Sequence, residues 1–156
     1  MGLDMYLTKK HYVQNWEHTQ LEKRFEVTIK QGDKTYSNID ASKVKYIEEE
    51  AGYWRKSNHI HRWFVENLQD GIDDCQEVYV SPNKLKELLS SCKEALENKE
   101  TACELLPTHS GFFFGRTDYD EFYFNDIDYT IKIIEDILGD VTNGELPYSI
   151  YYSSSW

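Results

Sequence analysis

Apolar and polar positions alternate through the first third of the chain. Over Met1–Leu7, residues Leu3, Met5 and Leu7 share one face while Asp4 and Tyr6 share the other, the period of a half-buried strand. Phe25, Val27 and Ile29 repeat that period up to Gln31-Gly32-Asp33. Val44–Ile47 reads as a third strand ending in the acidic run Glu48–Glu50. Beyond Gly52 the spacing changes. Ile60, Trp63, Phe64 and Leu68 fall on one helical face, which predicts a helix capped at Ser57, or starting a turn earlier, and closed by Gln69-Asp70-Gly71. Val78–Val80 is a short strand. Ser81-Pro82 then opens a second helix with Leu85, Leu88, Leu89, Cys92 and Leu96 on its apolar stripe.

Residues 99–117 read as a long connection. Asp118 and Glu121 have the form of a capping box for a third helix, with Phe124, Ile127, Ile131, Ile134 and Leu138 on one side and Gly139 at its end. After Pro147 an aromatic strand covers Tyr148–Tyr152. The order β-β-β-α-β-α-α-β, with strands and helices partly segregated, predicts one α+β domain over 1–156. It has a mainly antiparallel sheet and about three helices. A chain of 156 residues buries ~70% of the surface exposed when unfolded, so it needs no staple.

Composition narrows the functional classes. There is no apolar run near the ~20 residues that span a bilayer, so no membrane partner is expected. MGLDMYLTKK lacks an apolar signal core, and Tyr6 stands where N-myristoylation wants Ser or Thr; the expected address is cytoplasmic. Cys75, Cys92 and Cys103 show no CxxC pairing and read as reduced thiols, with Cys92 on a buried stripe. A net charge of −11 opposes direct DNA or RNA binding by counterion release.

Against that acidity stands the segment YWRKSNHIHRWF, Tyr53–Phe64, which carries +3 while the rest of the chain carries −14. Trp54 beside Arg55 and Lys56 joins a stacking surface to anion-binding donors, the two things a base and its phosphate need. If Arg55–Asn58 formed the first helical turn, backbone N–H groups and the helix dipole would add to the same site. The other reading is that Arg55, Lys56 and Arg62 offset carboxylates on neighbouring surfaces. His59 and His61 are two apart, not the four apart of a helical metal pair, so no metal or cofactor is expected; His61 reads as a hydrogen-bonding or structural histidine.

A second constellation is Ser110–Thr117, SGFFFGRT. It lacks the spacing and Lys of a P-loop. Its two glycines allow close backbone approach, so it is either a ligand wall or aromatic packing beneath a loop, the latter for at least two of its three Phe rings. Asp118, Asp120, Glu121, Asp126 and Asp128 form an acidic run without EF-hand spacing.

The stretches MGLDMYL, GYWRKSNHIHRWFVENLQDGIDDC, LLPTHSGFFFGRTDYDEFY and YYSSSW resemble a family of small phage and prophage proteins, over most of the chain. A family pattern like YWRKxNxIHxWFV is matched by Tyr53, Trp54, Arg55, Lys56, Asn58, Ile60, His61, Trp63, Phe64 and Val65. One like SGFFFGxTxYDE is matched by Ser110–Gly115, Thr117, Tyr119, Asp120 and Glu121. The resemblance implies a context, the cytoplasm of a bacterial host, and no catalytic assignment. In that context small non-enzymatic proteins sequester nucleotide defence signals, cyclic oligonucleotides or ADP-ribose derivatives, or block a defence protein through an acidic surface. The leading expectation is a sponge for an anionic nucleotide-like molecule, without turnover. Trp54, with Phe113 or Tyr119, would stack on the base; Arg55, Lys56 and Arg62 would pair with phosphate; Asn58, His61 and Thr117 would complete the site, in a pocket that a homo-oligomer would enclose. The alternatives are an acidic inhibitor binding a host protein through Asp118–Asp128, and a small nucleotide-processing enzyme with His61 as acid or base.

Overall fold

The computed structural model describes residues 2–156; Met1, where the first predicted strand begins, lies outside them. The fold is α+β. Four strands form an antiparallel sheet in the order β4-β1-β6-β5: β1 (Asp4–Tyr12), β4 (Tyr46–Arg55), β5 (Val78–Val80) and β6 (Ser149–Ser155). The short hairpin β2 (Lys30–Gln31) and β3 (Lys34–Thr35) lies between β1 and β4 in sequence. Three helices of three turns or more, α1 (Asn58–Leu68), α2 (Pro82–Glu97) and α4 (Glu121–Gly139), and the single turn α3 (Ala102–Leu105) complete it. Among the described residues no helix is long and apolar enough to cross a membrane.

The alternation in β1 sets the layers. Leu3, Met5 and Leu7 are fully buried with Ile150 and Tyr152 of β6, and the helices cover this face. Phe64 of α1 stacks on Tyr152 at 3.9 Å between ring centroids, nearly parallel. Ser81 accepts from Lys84 N at 3.2 Å and Pro82 takes the first helical position, as expected for α2. Its Cys92 is buried, which pushes the thiol up to about 12.

Several elements differ from the sequence reading, among them the turn α3, which lies inside the stretch 99–117 read as a connection. Phe25–Ile29 forms no strand: Asn15 takes both backbone groups of Phe25, donating to its carbonyl at 2.7 Å and accepting from its N–H at 2.9 Å, and the Phe25 ring is exposed. The predicted stop at Gly32-Asp33 is instead the turn of the β2–β3 hairpin, with Gly32 at φ +61°. Gly52 does not end a strand. A bulge lets Leu7 face Gly52 and Thr8 face Glu50, so Ala51 is the extra residue that breaks the alternation while β4 runs on to Arg55.

Gly52 instead admits α4. A Cβ there would lie 2.7 Å from Ile133 Cδ1 and 3.1 Å from Trp54 Cη2. Gly52→Ala should therefore cost about 1–3 kcal/mol, read as a lower denaturant midpoint with unchanged slope.

Candidate functional site

The basic segment is split between elements, not gathered in one helical turn. Trp54 and Arg55 end β4, Lys56 makes the turn at φ +60°, and Ser57 is the N-cap of α1. A lysine in the left-handed region is held there by its surroundings. Its N–H donates to Leu3 O at 2.8 Å, and its side chain lies so close to Gly115 that a Cβ there would be 3.0 Å from Lys56 Cβ. Gly115 itself sits at φ +86°. The two segments singled out in the sequence thus meet backbone to side chain.

Asn58 makes the junction. It is buried, its Nδ2 donates to Phe114 O (3.0 Å) and Arg116 O (2.7 Å), and its Oδ1 accepts from His109 N (2.9 Å). The loop from Pro107 is thereby wrapped over the start of α1, with Leu3 N donating to Phe113 O at 3.0 Å. Phe114 is buried and Phe113 half-buried against the core, as loop packing requires, while Phe112 is exposed.

Beside this junction lies an open cavity of about 470 Å³, bordered by the first turns of α1 and α4. Three cations line it, Arg55, Lys56 and Arg116, with three carboxylates, Asp118, Asp120 and Asp126. Arg55 is 4.0 Å from Asp4; among the described residues Lys56 and Arg116 have no salt-bridge partner. The helix cap is Asp120, two residues later than the predicted Asp118. Asp120 accepts from Phe122 N and Tyr123 N, and Asp118 is released to the cavity wall. The acidic run is therefore not one surface: Asp128 pairs with Lys132 on the exposed side of α4.

The wall also holds a buried histidine and a half-buried carboxyl whose titration burial shifts. His59 is 3% exposed, its ring 4.2 Å from that of Tyr123, and its Nε2 has no hydrogen-bond partner. Burial alone pushes its pKa down to about 3, so it is neutral. Asp126 is pushed up to about 6 by burial, with the Ser57 hydroxyl opposing and the charge of Asp120 adding. Ser57, although the N-cap, makes no side-chain capping bond to α1, so the first-turn amides are not met by the cap.

The other expected residues fall elsewhere. Trp54 is 2% exposed, packed on Phe64 and Tyr129 with Nε1 donating to Thr130 Oγ1 at 2.9 Å, so it offers no face to a base; this corrects its stacking role. His61 is buried in a separate, smaller cavity of about 180 Å³. There the Tyr152 hydroxyl donates to its Nδ1 (2.7 Å) and its Nε2–H donates to Asp73 (2.8 Å). Burial lowers its pKa more than Asp73 raises it, and both nitrogens are spoken for. Arg62 pairs with Glu66 at 2.6 Å. The Thr117 carbonyl accepts from Thr108 Oγ1 at 3.1 Å, and the Tyr119 hydroxyl accepts from Thr108 N at 3.2 Å; both tie the loop together outside the cavity. Phe113 likewise lies outside it.

Of the expected ligand residues, then, Arg55, Lys56 and Asn58 are brought together. His59, Arg116, Asp118 and Asp126 join them. Arg116 was legible as the cation directly after a glycine-bracketed run, whereas nothing in sequence brings Asp126 and His59 to the wall of one cavity. Among the described residues no group of three or more His, Cys, Asp or Glu is arranged to hold a metal ion. No family model, curated protein or solved structure matches the chain.

Proposed function

We propose that the protein binds an anionic, nucleotide-derived small molecule in the cavity between the starts of α1 and α4 and holds it without turnover. In the phage context that the sequence resemblance implies, this is sequestration of a host defence signal. The observation that carries the reading is the pair Lys56 and Arg116, two cavity cations that among the described residues have no carboxylate partner, in a chain of net charge −11. Keeping them unpaired beside carboxylates that they do not engage favours an incoming anion. The uncapped first turn of α1 adds backbone donors for phosphate oxygens. Phe122, 72% exposed at the cavity, supplies the stacking face that Trp54 does not, and Asp118 accepts from sugar hydroxyls or base amino groups. A volume of about 470 Å³ is within the range of nucleotide-sized sites.

The test is to incubate the protein with mono-, di- and cyclic nucleotides and ADP-ribose derivatives, and to measure each free compound before and after heat denaturation. A compound that is depleted and returns intact supports sequestration. One that returns altered means an enzyme, and a panel with no depletion removes the reading. Arg116→Ala should weaken binding by about 1.5–3 kcal/mol, roughly 10- to 150-fold. Lys56→Gly separates binding from folding. At φ +60° glycine relieves the left-handed penalty, so stability should stay within about 1 kcal/mol of the parent while affinity falls as for Arg116→Ala. Unchanged affinity in both variants would take the cations out of the site.

A further inference from the structure

The sheet has a second face, and its side chains follow from the register. Residues Tyr6, Thr8, Lys10 and Tyr12 of β1 alternate with the buried Met5 and Leu7 and so point away from the helices. Cross-strand partners on that face are Tyr53, Glu50, Glu48 and Tyr46 of β4, with Tyr151 of β6 opposite Thr8 and Tyr79 of β5 opposite Tyr151. At one end the face deepens into an open groove of about 520 Å³ lined by Tyr12, Tyr46, Tyr79, Tyr148, Tyr151 and Lys10. Tyr12, Tyr46 and Tyr79 remain 41%, 55% and 51% exposed, although each is large enough to bury profitably.

The groove is acidic despite its lysine. Lys10 Nζ is held by Glu77 at 2.7 Å and Glu48 at 3.3 Å, and both carboxylates are about half-exposed. Glu145 lines the same groove. One cation among three carboxylates leaves an excess of negative charge over flat rings. One ring already shows what it takes: Lys10 Nζ lies 4.6 Å from the centre of the Tyr151 ring. Tyr12, Tyr46 and Tyr79 carry no such cation among the described residues. Phosphate ligands are disfavoured here by charge, so this is not a second copy of the α1–α4 cavity.

We propose that this tyrosine groove is a docking site for an arginine-bearing, extended segment of a partner protein. A guanidinium is the group that both stacks on a tyrosine face and pairs with a carboxylate in its own plane, whereas an ammonium does only the second well. Three exposed rings from three different strands, with Tyr12 edge-on to Tyr46 at 5.3 Å and Tyr79 edge-on to Tyr151 at 5.9 Å, call for several such groups spaced along one chain, not for a single small cation. The charge complementarity is local as well as global, since Glu145 lines the groove and Glu48 and Glu77 both hold the one lysine that lines it. The proposal does not depend on the anion cavity.

The test is calorimetric titration of the protein with three synthetic peptides in which arginine, lysine or glutamine alternates with proline. The arginine peptide should bind, and binding should weaken as salt rises. The lysine peptide of equal charge should bind at least about fivefold more weakly, and the glutamine peptide not at all. Tyr46→Ser with Tyr79→Ser, both exposed positions, should lower arginine-peptide affinity at least tenfold, and Glu48→Gln with Glu77→Gln should do the same without touching a ring. Lys56→Gly should leave it unchanged. Equal affinity for the arginine and lysine peptides, or affinity insensitive to the tyrosine pair, would reduce the effect to bulk attraction by an acidic protein and overturn the proposal. Binding of the glutamine peptide as tight as that of the arginine peptide would overturn it too.

Discussion

Asn58→Ala should lower stability by about 3–5 kcal/mol, the largest loss expected from any single polar side chain of the site. The side chain is 1% exposed and makes three hydrogen bonds, all to backbone groups of one loop: Nδ2 to Phe114 O and Arg116 O, Oδ1 from His109 N. Alanine leaves three backbone groups without their partners, each worth about 1–3 kcal/mol when water cannot replace it. Arg116 and His109 are exposed, so water can reach part of what alanine uncovers, which keeps the loss to this range. Asn58→Asp sharpens the test. It keeps the acceptor for His109 N but sets a carboxylate oxygen against two carbonyls at 2.7–3.0 Å, so at neutral pH it should be at least as destabilising as alanine. Equilibrium unfolding in guanidinium measures both. A loss below about 1 kcal/mol for Asn58→Ala would mean that the loop holds its place by Phe114 packing alone. Because Arg116 and Gly115 are carried by this loop, both variants should also lose the anion cavity.

The contrast between Asn58 and Trp54 shows what the sequence could and could not convey. Both stand in one motif, and both read as ligand groups. Periodicity located α1 and α2, and the capping pair Ser81-Pro82, because those signals are local and physical. The β4 strand was cut short because a bulge at Ala51 resets the alternation on which strand reading depends, and the need for Gly52 lies in Ile133, some eighty residues away. The α4 cap was misplaced by two residues because Asp118 and Asp120 are chemically alike, and only the chain path decides which carboxylate meets the amides of Phe122 and Tyr123. Trp54 is buried for the same kind of reason: its partners Thr130 and Tyr129 are on α4, and no spacing rule places them there. The island of positive charge was legible; which of its members face solvent was not. Arg62 illustrates the limit, since its i, i+4 pairing with Glu66 is a local rule that settles its charge without any ligand.

His59 should make the protein acid-sensitive in a window that can be stated. In the fold its imidazole is neutral with a pKa pushed down to about 3, and in the unfolded chain it titrates near 6.5. As pH falls through 6.5 the unfolded chain takes up a proton that the folded one does not, so stability drops by up to about 1.4 kcal/mol per unit until about pH 3. Asp126 acts in the opposite sense. Its carboxyl is pushed up to about 6, so between roughly pH 6 and 4 the folded state is the one that binds the proton, and acidification relieves a penalty. In the parent protein the Asp126 slope thus opposes that of His59 over this range, while His61, Asp40 and Asp140, all lowered in the fold, add to the His59 side. His59→Phe keeps a ring against Tyr123 and removes the titration and the partnerless Nε2 together. Relative to the parent it should gain about 2–3 kcal/mol between pH 7.5 and 4.5, because the Asp126 and His61 contributions cancel in the difference. Unfolding midpoints of the two proteins at those pH values decide the matter. A difference that stays constant with pH would show that His59 meets solvent in the folded state, and the cavity wall described above would then be open where the structure closes it.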